Sequence, residues 1–230
     1  ISIVIAQEEH YKYAQEICDT IETSALLRGT GIAKRTPEYI QKKMHNQDAV
    51  IALDKGKFAG FCYIESWQHG KFVAHSGLIV HPDYRNLGLA KKIKSKVFDY
   101  SLKKYPDAKV FGITTGLAVM KINSELGYEP VTYSELTDDE EFWAGCKSCV
   151  NYDILMSKER KNCMCTAMLY DPKDHYEPEE TKQFFEENKN IFERMIRFKQ
   201  WKLLKPFFEK QHGGLGGGAV KSLFRHFFHF

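Results

Sequence analysis

The stretch Leu78-Ile79-Val80-His81-Pro82-Asp83-Tyr84-Arg85-Asn86-Leu87-Gly88-Leu89-Ala90 constrains the chain most. Its apolar start reads as a strand, His81-Pro82 turns it, and a basic amphipathic helix runs on from Lys91 to Tyr105. Between strand and helix lies Arg-x-x-Gly-x-Ala, which puts Gly88 and Ala90 where the helix begins. A helix N-terminus exposes unpaired N–H groups and carries partial positive charge. With small residues at its mouth, a pyrophosphate can reach those groups.

The rest of the chain sets the bounds. Its 230 residues suffice for one substantial domain plus an extension. A composition 43% hydrophobic and 27% charged suits a globular protein rather than a disordered one. The net charge of +3 is too small to imply nucleic acid as a partner, and no apolar run approaches membrane-spanning length. Ile1 to Ala6 is too short for a signal peptide, has no basic flank, and reads as a first strand. The six cysteines are therefore expected as reduced thiols in a cytoplasmic protein.

Along the chain, a strand at Ile3–Ala6 precedes a helix from about Glu8 to Ser24, and a glycine-rich cationic loop follows. Thr36 caps a second helix opened by Pro37 and running to about Asn46. Ala49–Leu53 and Phe58–Ser66 read as a hairpin turning at Asp54–Lys57, followed by the strand Phe72–Val80. After the basic helix come a buried strand at Lys109–Thr115 and a short helix at Gly116–Leu126, stopped by Gly127. Tyr128–Ser134 and Cys149–Met156 read as two more strands, with an additional one at Cys163–Leu169. Beyond a polar linker, Glu179 to about Lys210 is helical in pattern; a glycine spacer at 213–218 and a basic aromatic tail close the chain.

The loop at Arg85–Ala90, its His-Pro-x-Tyr lead-in and the element order β-α-α-β-β-β-α-β-α-β-β resemble the GNAT superfamily of acyltransferases over residues 1–157. The resemblance implies an α/β fold, a mixed twisted central sheet flanked by helices, with an α-helical C-terminal extension. The domains expected are 1–170, an acyltransferase, and 171–230, a helical extension. The resemblance also implies acetyl-CoA or another acyl-CoA as co-substrate. The pyrophosphate would rest on backbone N–H groups of Asn86, Leu87, Gly88, Leu89, Ala90 and Lys91, with Arg85 opening the loop. Leu78, Ile79 and Val80 would offer backbone groups to the pantetheine arm, as a strand pairs with an extended peptide.

Acyl transfer to an amine needs a base, a donor to the carbonyl oxygen, and at most an acid for the leaving thiolate. Where many family members carry a Tyr acid, this chain has Asn123, and where they carry an Asn it has Gly116. Ser124 or water could replace the acid, or the thiolate could leave unassisted, since a free thiol titrates near pH 8.5. The base candidates are His75 and Glu65. Each has a plain alternative: a hydrogen-bonded core histidine and a solvated strand end.

Arg28, Lys34 and Arg35 put three cations in a loop that in this fold usually walls the acceptor site. They suit an anionic amine acceptor, since Arg grips a carboxylate bidentately; the alternative is a solvated basic loop. Arg28–Arg35 and Thr114–Asn123 also resemble a bacterial GNAT subgroup assigned to glutamate acylation in arginine synthesis. Acetyl and succinyl donors are not distinguished. The rival readings are acylation of a protein amine or polyamine, and an acyl-CoA sensor without turnover. Cys146, Cys149, Cys163 and Cys165 read as a structural zinc site, which a hairpin near Ser157-Lys158 would close by bringing Cys149 towards Cys165, or else as small buried hydrophobes or a redox pair. The basic segment Arg194–Lys205 reads as a helix packed on its own domain or on a partner subunit in a homodimer, with a membrane surface as the alternative.

Overall fold

The computed structural model describes residues 1–28 and 35–175, with Arg28 described by its backbone alone. Lys34, the helical extension, the aromatic tail and the homodimer contact assigned to that extension lie outside the described residues. Ile1–His175 is one compact unit. Among the described residues, no helix is long and apolar enough to cross a membrane.

The elements are β1 (Ser2–Ile5), a 3-10 turn (Glu8–Tyr13), α1 (Ala14–Arg28), α2 (Pro37–His45), β2 (Ala49–Asp54), β3 (Lys57–Trp67), β4 (Phe72–Val80), α3 (Leu89–Lys104), β5 (Lys109–Thr114), α4 (Leu117–Glu125), β6 (Glu129–Val131), α5 (Glu140–Ala144), α6 (Tyr152–Ser157) and β7 (Thr166–Tyr170). They form one seven-stranded mixed sheet in the order β1-β2-β3-β4-β5-β7-β6. The α2 start is as expected, with Thr36 Oγ accepting from the Tyr39 N–H and Pro37 opening the helix.

Strand periodicity divides the core. Ile51, Phe61 and Tyr63 face Ile17, Ile21, Ile40 and Met44 of α1 and α2. Their neighbours Val50, Cys62 and Ile64 face Ile93, Val97 and Phe98 of α3. A third cluster joins Phe111 of β5 and Leu169 of β7 to Tyr133, Trp143 and Leu155. Those last three belong to the segment between β6 and β7, which carries α5 and α6.

The C-terminal strands differ from expectation. Residues 149–156 are not a strand but a turn followed by α6. Alternation would have grouped Val150, Ile154 and Met156 on one strand face, yet all three are exposed, and only Leu155 of α6 is buried. The slot beside β5 belongs instead to β7, which pairs antiparallel with both β5 and β6 and buries Ala167, Met168 and Leu169. The strand read as an addition therefore completes the sheet. The strand expected at 128–134 contracts to β6.

Two irregularities open the sheet. β4 pairs with parallel β5 only at Phe72–Ala74, after which β5 pairs only with β7. On its other side, the register of β4 against β3 slips between Phe61/Ile79 and Tyr63/Ser76, so β4 holds one extra residue. Gly77 sits in this bulge at φ +62°, where a Cβ would stand 2.4 Å from Tyr63 Cε1. Overpacking plus a left-handed backbone predicts that Gly77→Ala costs about 2–5 kcal/mol. Thermal unfolding measures it; a melting point equal to wild type would mean the Tyr63 ring moves aside freely.

Candidate active site

The splay of β4 from β5 leaves the β5-facing edge of residues 75–80 without a strand partner among the described residues. At its end, His81 and Pro82 turn the chain through a 3-10 turn into Arg85–Gly88. Asn86 (φ 63°) and Gly88 (φ 70°) both adopt left-handed conformations, folding the loop back over the start of α3. No side chain caps that helix; its bonding starts with Lys92 N–H to Gly88 O at 3.3 Å. The N–H groups of the first turn thus point out of the helix end. Arg85 is anchored, Nε donating to Val80 O and Nη2 to Ser24 Oγ at 2.9 Å.

Beside the splay lies a cleft of about 770 Å³. Ser76–Ile79 of β4 and Gly112–Thr114 of β5 form its floor. Arg35, Tyr39 and Glu65 line one side, and Trp67, Phe142, Tyr152 and the four clustered cysteines line another. The segment between β6 and β7 is therefore part of the cleft wall.

Glu65 is held inside this cleft. Tyr39 OH donates to its Oε1, and Lys43 Nζ donates to its Oε2 at 2.6 Å and to Ile64 O at 3.1 Å. Burial pushes the carboxyl up to about 7 against the lowering effect of Arg35, and burial pulls Lys43 down to about 8. Glu65 is no solvated strand end. Arg35 Nε donates to Tyr63 OH, and its guanidinium lies 5.7 Å from the ring centroids of both Tyr39 and Tyr63. Tyr39, Lys43 and Tyr63 were not anticipated from sequence. The signal available was the i, i+4 spacing of Tyr39 and Lys43, which puts both on one helix face.

Of the other sequence candidates, His75 is half-buried and lines the cleft, with its ring turned to the α3 side of the sheet. Ser101 Oγ donates to Val97 O, so it accepts from His75 Nε2 at 2.8 Å, while Tyr128 OH donates to Nδ1 at 3.2 Å. Burial, then nearby Lys94, lowers the imidazole well below its usual range. Both ring nitrogens therefore have partners inside the protein. Asn123 is buried, with Nδ2 3.8 Å from Met168 Sδ and Oδ1 unpartnered; Ser124 is exposed. Neither borders the cleft. Helical phase turns Asn123 into the core and Ser124 to solvent. Of the loop cations, Arg35 is in the cleft; Arg28 ends α1, and its side chain and Lys34 lie outside the described residues.

Cys146, Cys149, Cys163 and Cys165 do border one end of the cleft, around Tyr133, whose OH donates to Cys163 Sγ at 3.3 Å and Cys165 O at 2.9 Å. The structure lends the zinc reading no support. Among the described residues, no three His, Cys, Asp or Glu side chains are placed to hold a metal ion. The hairpin that would have set Cys149 opposite Cys165 does not form, because 149–156 is turn and helix. Burial raises the thiols of Cys146 and Cys165 to about 11 and about 12.

Residues 16–115 match the acetyltransferase (GNAT) family model. Among curated proteins, none matches the chain in sequence. N-acetylglutamate synthase from Neisseria gonorrhoeae, solved with coenzyme A and N-acetyl-glutamate, is similar at 15% identity and TM-score 0.54. The match covers 74% of this chain and 34% of that one, so the chain spans about a third of the synthase. Rv2747 from Mycobacterium tuberculosis, solved with CoA, is similar at 15% identity and TM-score 0.54, over 74% of this chain and 99% of that one. The Salmonella typhimurium protein yncA, solved with acetyl-CoA, is similar at 14% identity and TM-score 0.51, over 77% and 97%. The family match runs over the splayed strands, the loop and α3; over these residues the chain is similar to the GNAT acetyltransferases, and it shares their fold.

Proposed function

We propose that the chain transfers an acetyl or succinyl group from CoA to the amine of a small anionic acceptor, an amino acid of the glutamate type. The observation that carries this is one cleft holding a half-buried carboxylate, Glu65, and a guanidinium, Arg35, beside the open edge of β4. A zwitterionic amino acid offers an ammonium to the first and a carboxylate to the second. Glutamate is the first acceptor to try, as in the arginine-synthesis subgroup that Arg28–Arg35 and Thr114–Asn123 resemble.

In this reading the N–H groups of Asn86, Leu87, Gly88, Leu89, Ala90 and Lys91 hold the pyrophosphate, and Arg85 fixes the loop's entry. Backbone groups of Leu78, Ile79 and Val80 pair with the pantetheine arm along the open edge of β4. Glu65 takes one proton from the acceptor ammonium. The free amine attacks the thioester carbon, the C–N bond forms and the C–S bond breaks. The second nitrogen proton goes to the departing thiolate, which needs no protein acid.

Arg35→Ala should raise the acceptor KM roughly ten- to a hundredfold, as expected for a charge-assisted contact of about 1.5–3 kcal/mol, and leave the acyl-CoA KM nearly unchanged. Thiol release would be followed with a panel of anionic, neutral and cationic amines and with both donors. An unmoved acceptor KM, or turnover of cationic amines alone, would sink the anionic-acceptor reading.

A further inference from the structure

The inward face of α2 does more than cover the sheet. Tyr39 and Lys43, one turn apart, each engage a different oxygen of Glu65. Lys43 is also bonded to the backbone at Ile64 O, which fixes its ammonium relative to β3. Its side chain is 14% exposed and that of Glu65 19%, so the pair is largely out of water. Tyr39 and Tyr63 wall it, with the Lys43 ammonium 5.5 and 5.8 Å from their ring centroids. Each carboxylate oxygen has two lone pairs, so one bond to each leaves a second available toward the cleft.

We propose that Lys43 is a positioning residue for the Glu65 base: its ammonium, with the Tyr39 hydroxyl, holds Glu65 as an oriented carboxylate that can accept the acceptor's proton. The proposal rests on the assignment of Glu65 as base. A carboxyl so far from water favours its neutral form, which cannot take a proton. A cation at 2.6 Å opposes this. The charges facing the pair come from several elements. Arg35 precedes α2, Lys42 lies on it, Asp48 lies in the turn before β2, and Lys104 ends α3 and binds Asp48 at 2.7 Å. Glu141 borders the same cleft from the segment between β6 and β7. Arg35 lowers the Glu65 carboxyl by its charge, and Lys43 Nζ bonds Oε2 directly at 2.6 Å. During turnover one proton moves from the acceptor nitrogen to Glu65 and then to solvent; Lys43 keeps its own.

The test is the pH profile of kcat/KM for wild type, Lys43→Met and Lys43→Arg, with thermal melts to confirm folding. Removing the cation should move the acid limb upward by about one pH unit or more, roughly a tenfold loss on that limb. Lys43→Arg should restore the wild-type limb. The Glu65 carboxyl would also be titrated by carbon NMR in the free protein, which reads its ionisation without turnover. If Lys43→Met lowers the rate equally at every pH and leaves the carboxyl titration in place, Lys43 merely ties α2 to β3 and the proposal falls, with Glu65 untouched as base. A carboxyl titration that moves while the rate limb stays fixed removes Glu65 as the base, and the proposal falls with it. Should Lys43→Met not fold, Tyr39→Phe removes the hydroxyl donor alone and must shift the same limb in the same direction.

Discussion

Gly88→Val should abolish CoA binding in a chain that still folds. Gly88 stands at the N-cap of α3 with φ +70°, and a Cβ built there meets nothing within 4 Å. No protein atom resists the new side chain; it projects into the space before the helix mouth. The fold bears only the left-handed backbone of a β-branched residue, about 1–3 kcal/mol, seen as a melting point lowered by several degrees. The ligand bears more, because valine occupies the place where phosphate oxygens meet the N–H groups. Losing two charge-assisted bonds of about 1.5–3 kcal/mol each weakens binding by more than roughly a hundredfold. Calorimetry with CoA measures this, and Gly88→Ala should fall between the two. Unchanged affinity in folded Gly88→Val would place the pyrophosphate elsewhere.

The first 127 residues were largely legible because their signals are local. Thr36-Pro37 opens α2, Asp54–Lys57 turns the β2–β3 hairpin, and Gly127 at φ +87° follows α4. Each depends on backbone preferences that a few neighbours decide. Beyond Gly127 the decision is tertiary. Residues 149–156 and 163–169 were both apolar enough to be strands, and only one could occupy the place beside β5. β7 won because Ala167, Met168 and Leu169 are buried there together.

The site divides in the same way. The loop Arg85–Ala90 was readable because glycine and the helix start are adjacent in sequence. Glu65 was named, but its burial was not legible: that depends on α2 being laid over the end of β3, which brings Tyr39 and Lys43 to it across 26 and 22 positions. His75 had two readings, and its partners Ser101 and Tyr128 lie 26 and 53 positions away in sequence. For Asn123 and Ser124, family position suggested chemistry, while the phase of α4 turned one into the core and the other to solvent. The thiols share a neighbourhood, as their spacing suggested, but a common ion requires converging sulfurs, and spacing does not specify that.

Glu65→Gln should cut kcat by roughly 10²–10⁴, the usual contribution of a positioned base. Glutamine keeps the size of the side chain and can still accept from Tyr39, so a loss of rate reports lost basicity rather than lost shape. The pH dependence separates the two further. Burial raises the Glu65 carboxyl to about 7. Only the ionised form accepts a proton, so in wild type kcat/KM should fall as pH drops below about 7, approaching tenfold per unit. Above that value the base is fully available, and the profile should level off. In Glu65→Gln this limb should vanish, leaving a slow rate that climbs with pH as the acceptor amine loses its own proton in solution. Raising the pH therefore narrows the gap between variant and wild type. Lys43, already lowered to about 8 by burial, loses its ion-pair partner in the variant and should deprotonate more readily. That limits the structural cost of the substitution, which a thermal melt would check. A Glu65→Gln protein with the wild-type rate and the wild-type limb would show that another group or a water relay takes the proton.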